Sequence, residues 1–144
     1  NFTEKVNEMA EALGDKYNKQ VVISQGLISK NAMLKWGRKF NIYTATGPKE
    51  FLNLCKNASI ICCDSFHAVA FSILFKKCFF VLDGMKDNRI SNLLQITHLQ
   101  NRNFSSPNEY FNAPLQMDFT QPLGALEIER RKSLEWLKEH LDVC

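Results

Sequence analysis

Apolar residues near the start of the chain recur at helical spacing. Val6, Met9, Ala10, Leu13 and Tyr17 lie three or four positions apart, which predicts a helix from about Thr3 to Asn18 with one buried stripe. The β-branched run Val21-Val22-Ile23 reads as a strand ended by Gly26, and Asn31 to Lys39 as a short helix. Ile42-Tyr43-Thr44 reads as a second strand. Gly47-Pro48 then opens a helix with Pro48 as its first residue and Glu50 in its positive first turn. That helix turns Phe51, Leu52 and Cys55 inward and stops near Asn57. Ser59-Ile60-Ile61-Cys62-Cys63 is a continuous apolar run, as expected of a parallel strand covered on both faces. Phe66 to Phe75 is apolar almost all the way round and predicts a deeply buried helix. Cys78 to Leu82 is a further buried strand, closed by Asp83-Gly84, and Ile90, Leu93 and Leu94 mark a helix over Asn88 to Ile96. A polar stretch containing Pro107, Pro114 and Pro122 leads to a last helix over about 123–141.

Strands alternating with helices through short connections predict βαβ units and an α/β fold, a doubly wound parallel sheet. Ile60 to Cys63 should be its central strand, with the helix from Phe66 packed against it. Ligands of such sheets bind beyond the carboxyl ends of the strands. That rule singles out Gln25, Ala45 to Pro48, Asp64 to His67 and Asp83 to Arg89. There is no internal repeat and no low-complexity segment.

The 144 residues, 45% hydrophobic and 23% charged, are enough for one well-buried soluble domain. The net charge of +3 is scattered. It marks no basic face for nucleic acid or anionic lipid, and it leaves room for a partner anion the size of one phosphate. Of the five cysteines, Cys55, Cys62, Cys63, Cys78 and Cys144, none forms a metal-type pair. Three lie in apolar runs and read as reduced, buried thiols of a cytoplasmic protein, with Cys62 and Cys63 on opposite sheet faces. The longest apolar stretch, around Ala68 to Leu82, is broken by Lys76 and Lys77 and is no transmembrane segment. No initiator Met or signal peptide precedes the first amphipathic segment, as expected of a piece of a longer protein.

Candidate chemistry concentrates at Asp64-Ser65-Phe66-His67. Ser65 suits an N-cap, and the free backbone N–H groups behind it make an anion site. His67, in the first turn, can bind phosphate or move a proton; equally, Ser65 can be only a cap and His67 only a polar residue at a helix start. Thr46-Gly47-Pro48 forms a second strand-to-helix turn on the same rim, where Gly47 admits close backbone approach, or merely starts a helix. Arg89, after Asp87-Asn88, can bring a bidentate guanidinium to the crevice or remain an exposed surface cation. His98 reads as a loop residue, and His140 and Arg130-Arg131-Lys132 as a solvated helix face. No dinucleotide loop, Walker motif or metal-ligand spacing is present.

Gly47-Pro48-Lys49-Glu50-Phe51-Leu52, Asn57-Ala58 and Asp64-Ser65-Phe66-His67-Ala68-Val69-Ala70-Phe71-Ser72, with Asn88-Arg89-Ile90 and Asn92-Leu93-Leu94 downstream, resemble the C-terminal half of the polysaccharide pyruvyl transferase family. The resemblance covers residues 40–104. Ala68 stands where the family usually has Gly, and Phe66 where some members carry a phosphate-holding Arg. The resemblance implies a Rossmann-like domain similar to the C-terminal domain of GT-B glycosyltransferases, with residues 1–144 as a single donor-binding unit. It implies a bacterial transferase of exopolysaccharide biosynthesis, cytoplasmic or peripheral to the inner face of the membrane. Such an enzyme moves a pyruvyl group from phosphoenolpyruvate, its donor substrate, to a sugar without a further cofactor. The saccharide acceptor would bind a missing N-terminal domain, so the isolated fragment would be inactive. His67 would be catalytic; Gly47, Ser65, His67 and Arg89 would hold the donor phosphate, Arg89 replacing the cation that Phe66 removes. The competing readings are a GT-B glycosyltransferase using a nucleotide-sugar and a non-catalytic homologue.

Overall fold

A computed structural model describes residues 2–24, 41–43 and 47–141. The first helix, α1, spans Phe2–Tyr17. Val6, Met9 and Leu13 are its buried stripe, at the spacing that puts side chains on one helix face. At its end Asn18 takes a left-handed backbone (φ 49°), which lets the Lys19 N–H reach the Gly14 carbonyl at 2.8 Å. This closure satisfies a carbonyl that the helix leaves unpaired. Lys76 and His98 do the same for two later helices, through bonds from Lys77 to Ser72 and from Leu99 to Leu94. His98 is thus a turn residue, as expected, and its backbone closes the preceding helix.

Strands β1 (Val22–Ser24) and β2 (Asn41–Tyr43) pair in parallel. The helix expected over Asn31 to Lys39 lies outside the described residues, as do Gln25, Ala45 and Thr46. Helix α2 (Pro48–Asn57), strand β3 (Ile60–Cys63), helix α3 (Phe66–Leu74) and strand β4 (Cys78–Leu82) follow with the expected bounds to within a residue. A 3-10 turn over Gly84–Lys86 leads to α4 (Asn88–Ile96), and another over Gln100–Arg102 to β5 (Asn103–Phe104). Then come α5 (Pro107–Phe111) and α6 (Thr120–Leu141).

Two features correct the sequence expectations. The parallel sheet is divided: β1 and β2 form one sheet, and the other has the order β3-β4-β5, so the central strand is β4 rather than Ile60 to Cys63. Phe79, Phe80, Val81 and Leu82 are all buried, as a strand bonded on both edges should be, while Ile60, Ile61 and Cys62 are only half-buried. Instead of a ladder between β1 and β3, both strands line a cavity of about 730 Å³. The second correction concerns α3. Ala68, Val69, Ser72 and Ile73 are buried, but Leu74 is exposed, because the helix covers the sheet with one face only. Phe71 instead meets Phe51 of α2 edge-to-face at 6.1 Å.

Alternation along the strands sorts the core into two layers. Ile61, Cys63, Phe79 and Val81 face α3, α4 and the first turns of α6, among Val69, Ile73, Ile90 and Leu94. Ile60, Cys62, Phe80 and Leu82 face α1 and α5. Adjacent Cys62 and Cys63 thus serve opposite layers, as the strand period requires. Arg102 is buried in the second layer at 2% exposure. Its Nε donates to the Phe79 carbonyl at 2.9 Å and its Nη1 to the Pro114 carbonyl at 3.0 Å. Its guanidinium lies 4.6 Å from the Phe80 ring centre. Beyond Leu126 the side chains of α6 are largely exposed. Among the described residues no helix is long and apolar enough to cross a membrane.

Candidate functional site

Strand β3 passes through Asp64 and Ser65 into α3, and β4 passes through Asp83 and Gly84 towards α4. The strands are parallel, with Cys63 opposite Val81, so both turns open on one rim, the carboxyl edge where α/β proteins place their ligands.

Ser65 occupies the N-cap of α3 in extended conformation, and its carbonyl accepts the Val69 N–H at 3.1 Å. Its hydroxyl makes no capping bond, so the expected cap is present in position and absent in chemistry. Ser65 therefore does not occupy the first-turn N–H groups of α3. Asp64 and Ser65 also line the 730 Å³ cavity between the two sheets. Just beneath, burial pushes the Cys63 thiol up to about 12, against a smaller opposing effect of the Ser65 backbone hydrogen bond. That thiol is protonated and chemically inert at neutral pH.

His67 is exposed in the first turn of α3. Its ring meets Phe66 edge-to-face, with centroids 5.8 Å apart. The same Phe66 ring carries Arg89, whose guanidinium carbon lies 5.7 Å from the ring centre. Arg89 is held from the side by Asp87: its Nη2 donates at 2.7 Å and its Nε at 3.1 Å. Asp87 is the N-cap of α4 and also accepts the Arg89 backbone N–H at 2.8 Å. These bonds, the side-chain ones first, hold the Asp87 carboxyl down at about 2. Ser65, His67 and Arg89 are thus gathered around Phe66.

Gly47 stands at the N-cap of α2. Among the described residues, only Glu50 comes within 4 Å of where a Cβ would sit, with its carboxylate oxygen at 2.8 Å. The acidic side chain of the helix's own first turn thus occupies that position. The structure does not bring Gly47 into the group around Phe66.

Sequence reasoning placed Asp83 and Gly84 on this rim and passed over Asn103. Asp83 is left-handed (φ 52°), pairs with Lys86 at 3.1 Å, and receives the Gly84 turn that follows. The Gly84 N–H donates to the Asn103 side chain at 2.6 Å. Asp64, Asp83, Lys86 and Asp87 line a small neighbouring cavity of about 210 Å³. The dipeptide Asp83-Gly84 signals a turn, but nothing in the sequence ties it to Asn103.

Parallel strands joined by helices, with helix N-termini and a cation on the carboxyl rim, define an α/β protein compatible with a Rossmann-like fold. The sequence model of the family described as polysaccharide pyruvyl transferase matches residues 4–84, more than half of the chain. The chain belongs to the polysaccharide pyruvyl transferase family, a family of transferases. No curated protein and no solved structure matches it. Ser65, Phe66 and His67 lie within the matched span and Arg89 beyond it.

Proposed function

We infer that the chain is the donor-binding half of an enzyme that transfers the pyruvyl group of phosphoenolpyruvate to a sugar of a cell-surface polysaccharide, forming a ketal. The observation that supports this reading most is the rim of a family member in which an open helix N-terminus carries exposed His67 with Arg89 just across Phe66. In the reaction the donor's methylene carbon takes a proton and becomes a methyl group. Two acceptor hydroxyl oxygens bond to the neighbouring carbon as the phosphate leaves. The two hydroxyls give up two protons, which balance the one gained by the methyl and one carried by the departing phosphate. The step demands a proton donor and positive charge at the leaving oxygen. His67 fits the first demand, and the N–H groups behind Ser65 and the Arg89 guanidinium fit the second. This chemistry requires no cofactor beyond the donor. An acceptor-binding domain preceding this chain would complete a GT-B-like cleft, in the cytoplasm or at the inner face of the membrane.

The test is calorimetric binding of phosphoenolpyruvate against UDP- and GDP-sugars by the full-length protein, followed by phosphate release with saccharide acceptors. Phosphoenolpyruvate alone should bind. Nucleotide-sugar binding in its place would assign a glycosyltransferase, and donor binding without turnover a non-catalytic homologue. His67→Ala should lower turnover roughly 10²–10⁴-fold if His67 transfers a proton. If it grips the donor equally in ground and transition states, the loss appears in KM. Full activity of a folded His67→Ala protein sinks the assignment.

A further inference from the structure

A guanidinium has five N–H donors in one plane. In Arg89, Asp87 takes the Nε edge with one Nη2 hydrogen, and the guanidinium carbon lies over the Phe66 ring, 5.7 Å from its centre. The two bonds to Asp87 hold the fork, and the ring bounds it on one side. They leave the Nη1 hydrogens and the second Nη2 hydrogen without a partner among the described residues. The free end is the one shaped for a bidentate oxyanion. The side chain that offers it remains 68% exposed. An exposed ion pair adds little to stability, so the arrangement acts through orientation: a long side chain that would lose freedom on binding is already ordered.

The geometry points to Phe66 and Asp87 as positioning residues that aim the free edge of Arg89 at an oxyanion of the donor, either its phosphate or its carboxylate. The inference rests on the donor-binding reading above. Phe66 has a double part, since the ring that carries Arg89 also abuts His67. The aromatic residue thus couples a cation from α4 to the helix start that bears the candidate acid. Asp87 is fitted to its part because the same carboxylate caps α4 and grips the fork. Asn at that position keeps the cap and gives up the charge.

The experiment is a set of double-mutant cycles on the full-length protein, read by calorimetric Kd for phosphoenolpyruvate, inorganic phosphate and pyruvate, with urea midpoints as a control. Phe66→Leu and Asp87→Asn should each raise the Kd for phosphoenolpyruvate roughly 3- to 10-fold. Phe66→Tyr, which keeps the ring face, should stay near wild type. In an Arg89→Gln background, Phe66→Leu and Asp87→Asn should have no further effect, as positioning through Arg89 requires. The same pattern with phosphate assigns the guanidinium to the phosphate group, and with pyruvate to the carboxylate. The proposal is overturned if the two substitutions weaken binding equally without Arg89, or if Asp87→Asn tightens binding, which makes Asp87 a competitor of the ligand. Wild-type affinity in Arg89→Gln alongside lost affinity in His67→Ala overturns it too, while leaving the donor site in place. Failure of the wild-type protein to bind phosphoenolpyruvate removes both.

Discussion

Replacing Arg102 by Met tests the most unusual element of the core. Arg102 is 2% exposed, and among the described residues no carboxylate pairs with it; burial holds its pKa below the usual arginine value. Its donors go to two carbonyls, of Phe79 and Pro114, and more weakly to the Cys78 sulfur at 3.5 Å. Hydrogen bonds from a charged donor contribute about 1.5–3 kcal/mol each, so the two carbonyl bonds together represent about 4 kcal/mol. Stacking on Phe80 adds about 1–2 kcal/mol when the cation is desolvated. Against this stands the desolvation of an unpaired guanidinium, several kcal/mol that the substitution recovers. Met fills most of the volume, so the net loss should be about 2 kcal/mol. Ala leaves a cavity as well, for about 4 kcal/mol in all. Urea unfolding followed by far-UV circular dichroism should show the Met variant's midpoint lowered by about 1 M at unchanged slope. Arg102→Lys should fall nearly as far as Met, because one ammonium cannot span carbonyls that lie on β4 and on the segment before α6. A Met variant as stable as wild type would refute the reasoning. It would mean that desolvation outweighs the hydrogen bonds and that Arg102 ties nothing down.

Two further outcomes follow from the core. Gly84→Ala should cost about 1–3 kcal/mol, because an added Cβ would run into Val81 and lie 2.8 Å from Ile90 Cγ2, both fully buried; an unchanged thermal midpoint would show that the turn can shift. Burial raises the Cys62 and Cys63 thiols, so above about pH 8.5 the unfolded chain loses protons that the folded chain keeps. Stability should therefore be complete below that pH and fall towards pH 12 by up to about 1.4 kcal/mol per pH unit for each thiol. Urea midpoints at pH 7, 9 and 10 should show that fall in wild type and lose this component in a Cys62→Ala/Cys63→Ala protein. Equal pH slopes in the two proteins would contradict the burial argument.

Elements with strong periodicity were legible in the sequence. The bounds of α4, Asn88–Ile96, follow from Ile90, Leu93 and Leu94. The strand at Cys78–Leu82 follows from its apolar run and the Asp83-Gly84 stop. Which strand is central was not legible, because Ile60 to Cys63 and Phe79 to Leu82 are equally apolar and centrality depends on pairing beyond either run. The pair β5 and α5 was hidden for the opposite reason: Asn103–Phe104 and Pro107–Phe111 are too short and polar to carry a period. Arg102 gives no local signal, since its burial is created by α5, β4 and the chain around Pro114. At the rim, the position of Ser65 and the approach of Arg89 followed from topology. The silence of the Ser65 hydroxyl and the seating of Arg89 did not. In sequence Phe66 is only the loss of a cation; in the fold its ring face becomes the surface on which another cation rests.

The fully buried core and the candidate site lie on different parts of the molecule, and that separation governs how substitutions at the rim can be read. Fully buried residues cluster on β4 and the helix faces against it, from Phe79 to Val81 with Val69, Ile73, Ile90 and Leu94. Arg102 braces β4 near its amino end through the Phe79 carbonyl. The candidate residues at the other end, Ser65, His67 and Arg89, are all exposed, and removing exposed side chains without a cap or buried partner changes stability by only about 0.5 kcal/mol. Loss of activity in His67→Ala or Arg89→Gln can then be attributed to the rim itself. Phe66 is the exception, because it is half-buried and packs against the main core. A Phe66 substitution must therefore be compared through Phe66→Tyr, which preserves the packing and the ring face together. That one residue joins the two parts, so it is the position where a change in binding and a change in folding are hardest to separate.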